Sequence, residues 1–154
     1  MWHIFYSCTN NSDLEQENTL FISLPAQKTG VDFINLLTET EAFNIIDYLY
    51  FYNGGGVSVG DINNDGLIDI VAYSGGSMVI PVHPTCYLNF GGGKFTLSNT
   101  IFKNFQLDDN YYTVDLFDLN GDGWLDLFLG GHEKLLFIPN NNGSFDRSKA
   151  TIIQ

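Results

Sequence analysis

The chain has 154 residues, 44% of them hydrophobic and 15% aromatic, enough for about one domain with a buried core and too apolar for a disordered polypeptide. Its 18 acids against 6 bases leave a formal net charge of −12, which argues against nucleic acid and anionic membrane surfaces as partners. Two cysteines, Cys8 and Cys86, do not make a disulfide framework, and no Cys/His cluster has zinc spacing, so unpaired thiols with Cys86 buried are expected.

Residues 1–18 read as a disordered tail or a signal remnant. The opening MWHIFYSC is apolar up to Cys8, as at the cleavage point of a bacterial lipoprotein signal, with Cys8 then a lipid anchor; it is short for such a signal and lacks Lys and Arg. No apolar run approaches the roughly 20 residues of a transmembrane helix. Residues 19–52 form an irregular N-terminal segment. Within it TLFISL (19–24) reads as a strand closed by Pro25, and residues 29–33 as a second short strand. Thr38-Glu39-Thr40-Glu41 fits a capping box before a helix near 39–46, with an acidic loop as the alternative. YLYFY (48–52) is aromatic and strand-like.

From residue 53 the chain repeats itself. The first unit, 53–107, runs through NGGGVSVGD, the acidic stretch GDINNDGLIDI, Gly75-Gly76 and CYLNFGGGKF. The second unit, 108–154, runs through YYTVDLFD, the acidic stretch FDLNGDGWLDL, Gly130-Gly131 and LLFIPNNNGSF. The order in both is strand, acidic loop, strand, Gly-Gly, strand, Gly-rich turn and Phe. The loops lie 57 residues apart, from Asp61 to Asp118, whereas the last loop aspartate precedes the closing Phe by 26 residues in one unit and 19 in the other. The longer interval carries SMVIPVHPT, where Pro81 and Pro84 argue against a continuous central strand. Alternation of apolar residues supports strands, and each unit reads as an antiparallel sheet of three or four of them. A small sheet cannot bury its faces alone, so units of this size predict stacked blades. The fold class expected is all-β: a partial β-propeller of about two blades behind the irregular N-terminal segment.

The two loops carry the chemistry. Positions 1, 3, 5 and 9 are Asp61, Asn63, Asp65 and Asp69 in the first, and Asp118, Asn120, Asp122 and Asp126 in the second. Position 6 is Gly66 or Gly123, suited to a turn at positive φ. Alternate side chains of such a curl present hard oxygens to one centre. The carbonyls of Leu67 and Trp124, at position 7, add another donor, which predicts two Ca²⁺ sites. Like charges so crowded repel without a cation. Mg²⁺ demands stricter geometry, and zinc would want His or Cys. An EF-hand opens the same way but needs Glu at position 12, where this chain has Ala72 and Leu129. The alternative is an Asx-rich hairpin turn without metal.

D-x-N-x-D-G-x-x-D between short strands resembles the calcium loop of FG-GAP and VCBS repeats, the propeller blades of integrin α-subunits. With the preceding TGVDFINLLTETEAFNIIDYL, the stretch YFYNGGGVSVGDINNDGLIDI is similar to secreted bacterial proteins of the cartilage acidic protein-like (ASPIC) group, and CYLNFGGGKF to that group's recurring blade ending. The resemblance covers residues 19 to about 146. It implies calcium at the positions named and a secreted or outer-membrane-surface location. It also implies a protein or glycan ligand, and more blades than this chain supplies, so that further blades of a larger propeller are an expected partner.

Three functions follow: a calcium-stabilised interaction or adhesion module, a polysaccharide-acting enzyme, or a structural piece of a larger propeller. The carboxylates for an enzyme would be Asp108, Asp109 and Asp115, but adjacency does not set two carboxylates across a glycosidic bond. His3, His83 and His132 have no nucleophile at a family spacing, and there is no G-x-S-x-G or phosphate loop. No catalytic role is therefore expected.

Overall fold

A computed structural model describes residues 20–34, 39–41, 44, 46, 55–73, 83–105, 111–131 and 134–153. The expectations for the tail at 1–18, Cys8, the strand at 48–52, Gly75-Gly76, Pro81, Asp108, Asp109, His3 and His132 lie outside these residues. Among the described residues no helix is long and apolar enough to cross a membrane.

The fold is all-β. Strands β1 (Gly56–Gly60), β2 (Asp69–Tyr73), β3 (Thr85–Asn89) and β4 (Phe95–Leu97) form one antiparallel sheet in sequence order. After a 3-10 turn at Asn99–Ile101 comes the short β5 (Phe102–Lys103). Strands β6 (Tyr111–Phe117), β7 (Asp126–Gly131), β8 (Leu135–Ile138) and β10 (Thr151–Ile153) form the second antiparallel sheet, ordered β10-β8-β7-β6. Between its last two strands, β9 (Phe145–Asp146) leaves the sheet to pair in parallel with β5, Phe102 opposite Phe145. The Phe102 and Phe145 rings stack at 5.8 Å, and Asn104 Nδ2 donates to Asp146 Oδ1 at 2.9 Å. The segment after the first sheet is thus fastened to the closing turn of the second.

The registers explain the spacing of the acidic loops. Gly60 faces Asp69 across β1–β2, and Phe117 faces Asp126 across β6–β7, so each loop is a hairpin connection whose position 9 is the first residue of the returning strand. The two sheets share one core. Ile62, Val71, Tyr73 and Cys86 come from the first unit; Val114, Leu116, Leu127, Leu129, Leu136 and Ile138 come from the second. Leu127, Leu129, Leu136 and Ile138 are fully buried, each contributing about 1.5–3 kcal/mol relative to exposure.

Strand alternation sorts the faces. Gly56, Ser58 and Gly60 of β1 turn toward the second sheet. A Cβ on Gly56 would stand 2.6 Å from the Val114 backbone nitrogen, and Ser58 Oγ donates to Asp115 Oδ1 at 3.2 Å. Glycine and serine let β1 and β6 approach closely.

The N-terminal segment corrects three local expectations. Residues 20–24 form no strand, and Leu20, Phe21 and Ile22 are exposed: an apolar run becomes a strand only when an edge is there to pair with it. Residues 29–33 form no strand either. Thr29 ends the single helical turn α1 (Ala26–Thr29), which Gly30 closes at φ +81. The described residues of 39–46 are turn and bridge rather than helix, with Asn44 Nδ2 donating to the Thr40 carbonyl at 3.3 Å.

Candidate functional site

Each acidic loop is a wrap of Asx turns. Asp61 accepts from the backbone N–H of Asp65 (3.0 Å) and of Gly66 (2.8 Å). Asn63 Oδ1 accepts from Asp65 N (3.2 Å), and its amide donates to Asp65 Oδ2 (2.9 Å). Asp65 Oδ1 accepts from Leu67 N (2.8 Å). In the second loop Asp118 accepts from Asp122 N and Gly123 N, and Asn120 bonds Asp122 N and the Asp122 carboxylate. There Asp122 accepts from Trp124 N. Every one of these bonds in the first loop has its counterpart in the second, where Asp118 Oδ1 accepts one more, from Gly121 N at 2.7 Å. Short polar side chains are suited to this because they reach the N–H two to five residues on.

Two backbone positions make the curl. Gly66 and Gly123 sit at φ +87 and +86, as position 6 requires. Position 4 is also left-handed, Asn64 at φ 56 and Gly121 at φ 75, a requirement sequence reading passed over although Asn and Gly are the residues that tolerate it.

Position 9 has another role. Asp69 and Asp126 are fully buried. Asp69 Oδ2 accepts from Ile62 N (2.9 Å) and Oδ1 from Asn89 N (2.8 Å), while Asp126 accepts from Leu119 N (3.1 Å) and Asn140 N (2.9 Å). Each carboxylate thereby joins the start of its loop to the end of the third strand of its sheet. Burial pushes the Asp69 carboxyl above its usual range. The two backbone donors hold it down, and the charges of Asp65 and Asp61 add to the rise.

Asn89 and Asn140 are site residues that the motif does not contain. Asn89 Nδ2 donates to Ile68 O (2.9 Å) and its Oδ1 accepts from Gly91 N (2.8 Å). Asn140 Nδ2 donates to Leu125 O (2.9 Å) and its Oδ1 accepts from Gly143 N (2.8 Å). Asn140 Nδ2 also reaches Ile62 O of the first loop at 3.0 Å, and Asn64 Nδ2 donates to Gly123 O at 3.3 Å, so the two loops adjoin. The signal was present in the sequence, one Asn before each Gly-rich turn, but its partner is a loop far away in the chain.

The donor chemistry suits a hard cation: three carboxylates, an amide oxygen and a backbone carbonyl in each loop. A carboxylate oxygen accepting one N–H bond keeps a second lone pair for a metal. As they stand, the side chains of positions 1, 3 and 5 are turned onto the loop's own N–H groups. Among the described residues no three His, Cys, Asp or Glu side chains converge as they would around an ion. Leu67 and Trp124 lie at the turn exit, with Trp124 half-buried. Of the carboxylates considered for catalysis, Asp115 is exposed and accepts from Ser58 Oγ and from Leu116 N.

No curated protein and no solved structure matches the chain. Residues 61–129, from the first aspartate of the first loop into β7 of the second sheet, match the family model of the FG-GAP-like repeat.

Proposed function

We propose that the chain is a calcium-binding, extracytoplasmic repeat module of β-propeller type that serves protein or glycan interaction, with the metal structural rather than catalytic. The observation that carries this reading is the equivalence of the two loops. Two stretches 57 residues apart build one hydrogen-bonded wrap from the same residue types at positions 1, 3, 5, 6 and 9. Keeping three carboxylates in each loop of a protein already at −12 is costly unless a cation offsets them. The proposed ligands are Asp61, Asn63, Asp65, Asp69 and the Leu67 carbonyl, and Asp118, Asn120, Asp122, Asp126 and the Trp124 carbonyl.

The FG-GAP-like match supports the propeller reading, since repeats of that kind usually occur in extracellular interaction modules. Membership of the cartilage acidic protein-like group, lipid attachment at Cys8 and packing beside further blades are the finer parts of the proposal. A metal that holds a loop stabilises the folded state by mass action. The test is a thermal melt in millimolar Ca²⁺ against excess EGTA, with Mg²⁺ as control. A midpoint raised by Ca²⁺ alone is expected; coincident curves for a folded protein would leave the loops as Asx turns only. Cell fractionation tests the location, and recovery in the cytosol would overturn it.

A further inference from the structure

An unbroken buried path of hydrogen bonds joins the two acidic loops. Asp126, at position 9 of the second loop, accepts from Asn140 N at 2.9 Å. The Asn140 amide donates to Ile62 O at 3.0 Å, and Ile62 N donates to Asp69 Oδ2, at position 9 of the first loop, at 2.9 Å. Asp126, Ile62 and Asp69 are fully buried, and Asn140 is 6% exposed. One side chain and the main chain of one residue therefore separate the two position 9 carboxylates. Ile62 stands between Asp61 and Asn63, so both peptide groups that orient positions 1 and 3 of the first loop are held by this path.

A second link runs nearer the surface. Asn64 Nδ2 donates to Gly123 O at 3.3 Å. The turn whose Gly143 N donates to Asn140 Oδ1 also rests on position 3 of the first loop, where a Cβ on Gly143 would stand 3.4 Å from Asn63 Cβ. Asn89, the counterpart of Asn140 in the first unit, gives the contrast. Its bonds to Asp69, Ile68 O and Gly91 N all lie within its own unit.

We propose that the two loops take up Ca²⁺ as a coupled pair, with Asn140 the positioning residue between them, so that filling either loop raises the affinity of the other. The inference rests on the calcium reading above. Its physical ground is the cost of ordering. Positions 1, 3 and 5 are turned onto the loop's own N–H groups, so binding has to fix their side chains anew, which costs entropy. Fixing Asp126 fixes Asn140, and fixing Asn140 holds the Ile62 main chain between positions 1 and 3. Part of the ordering of the first loop is then already done, and linkage requires the same in reverse. Charge acts in the opposite sense, because a filled loop is less negative and attracts a second cation less. Salt separates the two effects. The Debye length shrinks from about 8 Å at 0.15 M to about 3 Å at 1 M, which screens the charges and leaves the hydrogen-bonded path in place.

The test is calorimetric Ca²⁺ titration of the full chain in about 0.15 M and about 1 M salt. The product of the unsubstituted chain's two association constants is divided by the product of the single constants of Asp61→Ala and Asp118→Ala, each of which keeps one loop. The quotient is the coupling factor, expected at about fivefold or more in the higher salt. The same set is measured with Asn140→Ala, Asn64→Gly or Asn89→Ala added. Asn140→Ala should bring the factor close to one. Asn64→Gly, which suits the φ of 56 but lacks the amide, should lower it in part and carries the test if Asn140→Ala fails to fold by circular dichroism. Asn89→Ala should leave it unchanged. A merely structural role for Asn140 would weaken both loops without moving the quotient. Two ions bound with a factor of one in the higher salt overturn the proposal and leave the calcium reading standing. So does a factor that the folded Asn140 and Asn64 variants leave unchanged, or one that Asn89→Ala lowers equally. Uptake of a single ion overturns the pair, and no uptake overturns the calcium reading as well.

Discussion

Asn140 and Ile62 stand 78 positions apart in the chain, and the Asn140 amide donates to the Ile62 carbonyl at 3.0 Å. The same amide holds Leu125 O, and its oxygen takes the N–H of Gly143, so one buried side chain ties the first acidic loop, the second loop and the closing turn of the second sheet together. Asn140→Ala leaves two carbonyls without this donor and should cost about 2–4 kcal/mol in urea unfolding. Asn89→Ala, whose amide lies exposed on Ile68 O, should cost about 1 kcal/mol or less. Equal losses for the two would mean that the bond to Ile62 contributes nothing.

Loop variants separate the metal from the turn. Asp61→Ala removes a proposed ligand from the first loop only, and Asp118→Ala does so in the second. Calorimetric titration with Ca²⁺ should fall from two sites to one in either variant and to none in the pair. In EGTA each single variant should lose only about 1 kcal/mol, since what remains to be lost is exposed hydrogen bonds from Asp65 N and Gly66 N, or from Gly121 N, Asp122 N and Gly123 N. Two sites retained in both variants would remove position 1 from the ligand set.

The parts legible in the sequence were those with a short period. Alternation placed β1 and β7, the repeated order of features placed β2 and β6 beside them, and the loop motif placed the turn glycines and the aspartates between. Three things escaped because they depend on partners distant in sequence. The apolar run at 19–24 looks like a strand in isolation, yet residues 20–24 meet no edge and stay exposed. The β5–β9 pairing is two residues long and shows no alternation at all. Asn140 looked like one more polar residue in a turn until Ile62 lay beside it.

Cys86 is buried against the core, and burial pushes its thiol up to about 12, with the charge of Asp69 adding to the rise. A folded-state value raised above the ordinary 9.0 means that stability from the neutral thiol is whole below pH 9 and is lost as pH climbs toward 12. At pH 8.5 iodoacetamide should therefore leave Cys86 unmodified in the native protein and label it rapidly in urea, as read by peptide mapping. Fast native labelling would mean that the β2–β3 hairpin opens freely.

Tyr87 fastens the N-terminal segment to the first sheet through its bond to Asp32. Desolvation first, then the hydrogen bond and charge of Asp32, push the phenol up from 10.0 to about 12. The stabilisation is complete below pH 10 and is lost as pH rises through about 12, when the phenolate would face the Asp32 carboxylate. Tyr87→Phe should cost about 1 kcal/mol at neutral pH and flatten the stability profile between those values. It should also speed proteolysis within residues 26–34. A variant with unchanged proteolysis would show that the segment is held by other contacts.

Gly56 tests how closely the sheets pack. A Cβ there would lie 2.6 Å from Val114 N, 3.0 Å from Val114 Cγ1 and 3.2 Å from the Thr113 carbonyl carbon, and two of those three neighbours are backbone. Backbone cannot swing aside as a side chain tip can, so Gly56→Ala must push β1 and β6 apart along a contact that also carries Ser58 and Asp115. The cost of such overpacking is about 1–3 kcal/mol, with faster hydrogen exchange at the β6 amides. Gly66→Ala is the control. Its φ of +87 makes a side chain strained, but nothing lies within 4 Å, so its cost of about 1–2 kcal/mol should come without any change at β6. If Gly56→Ala instead proves neutral and leaves β6 exchange untouched, the two sheets stand further apart than the Gly56–Val114 approach requires.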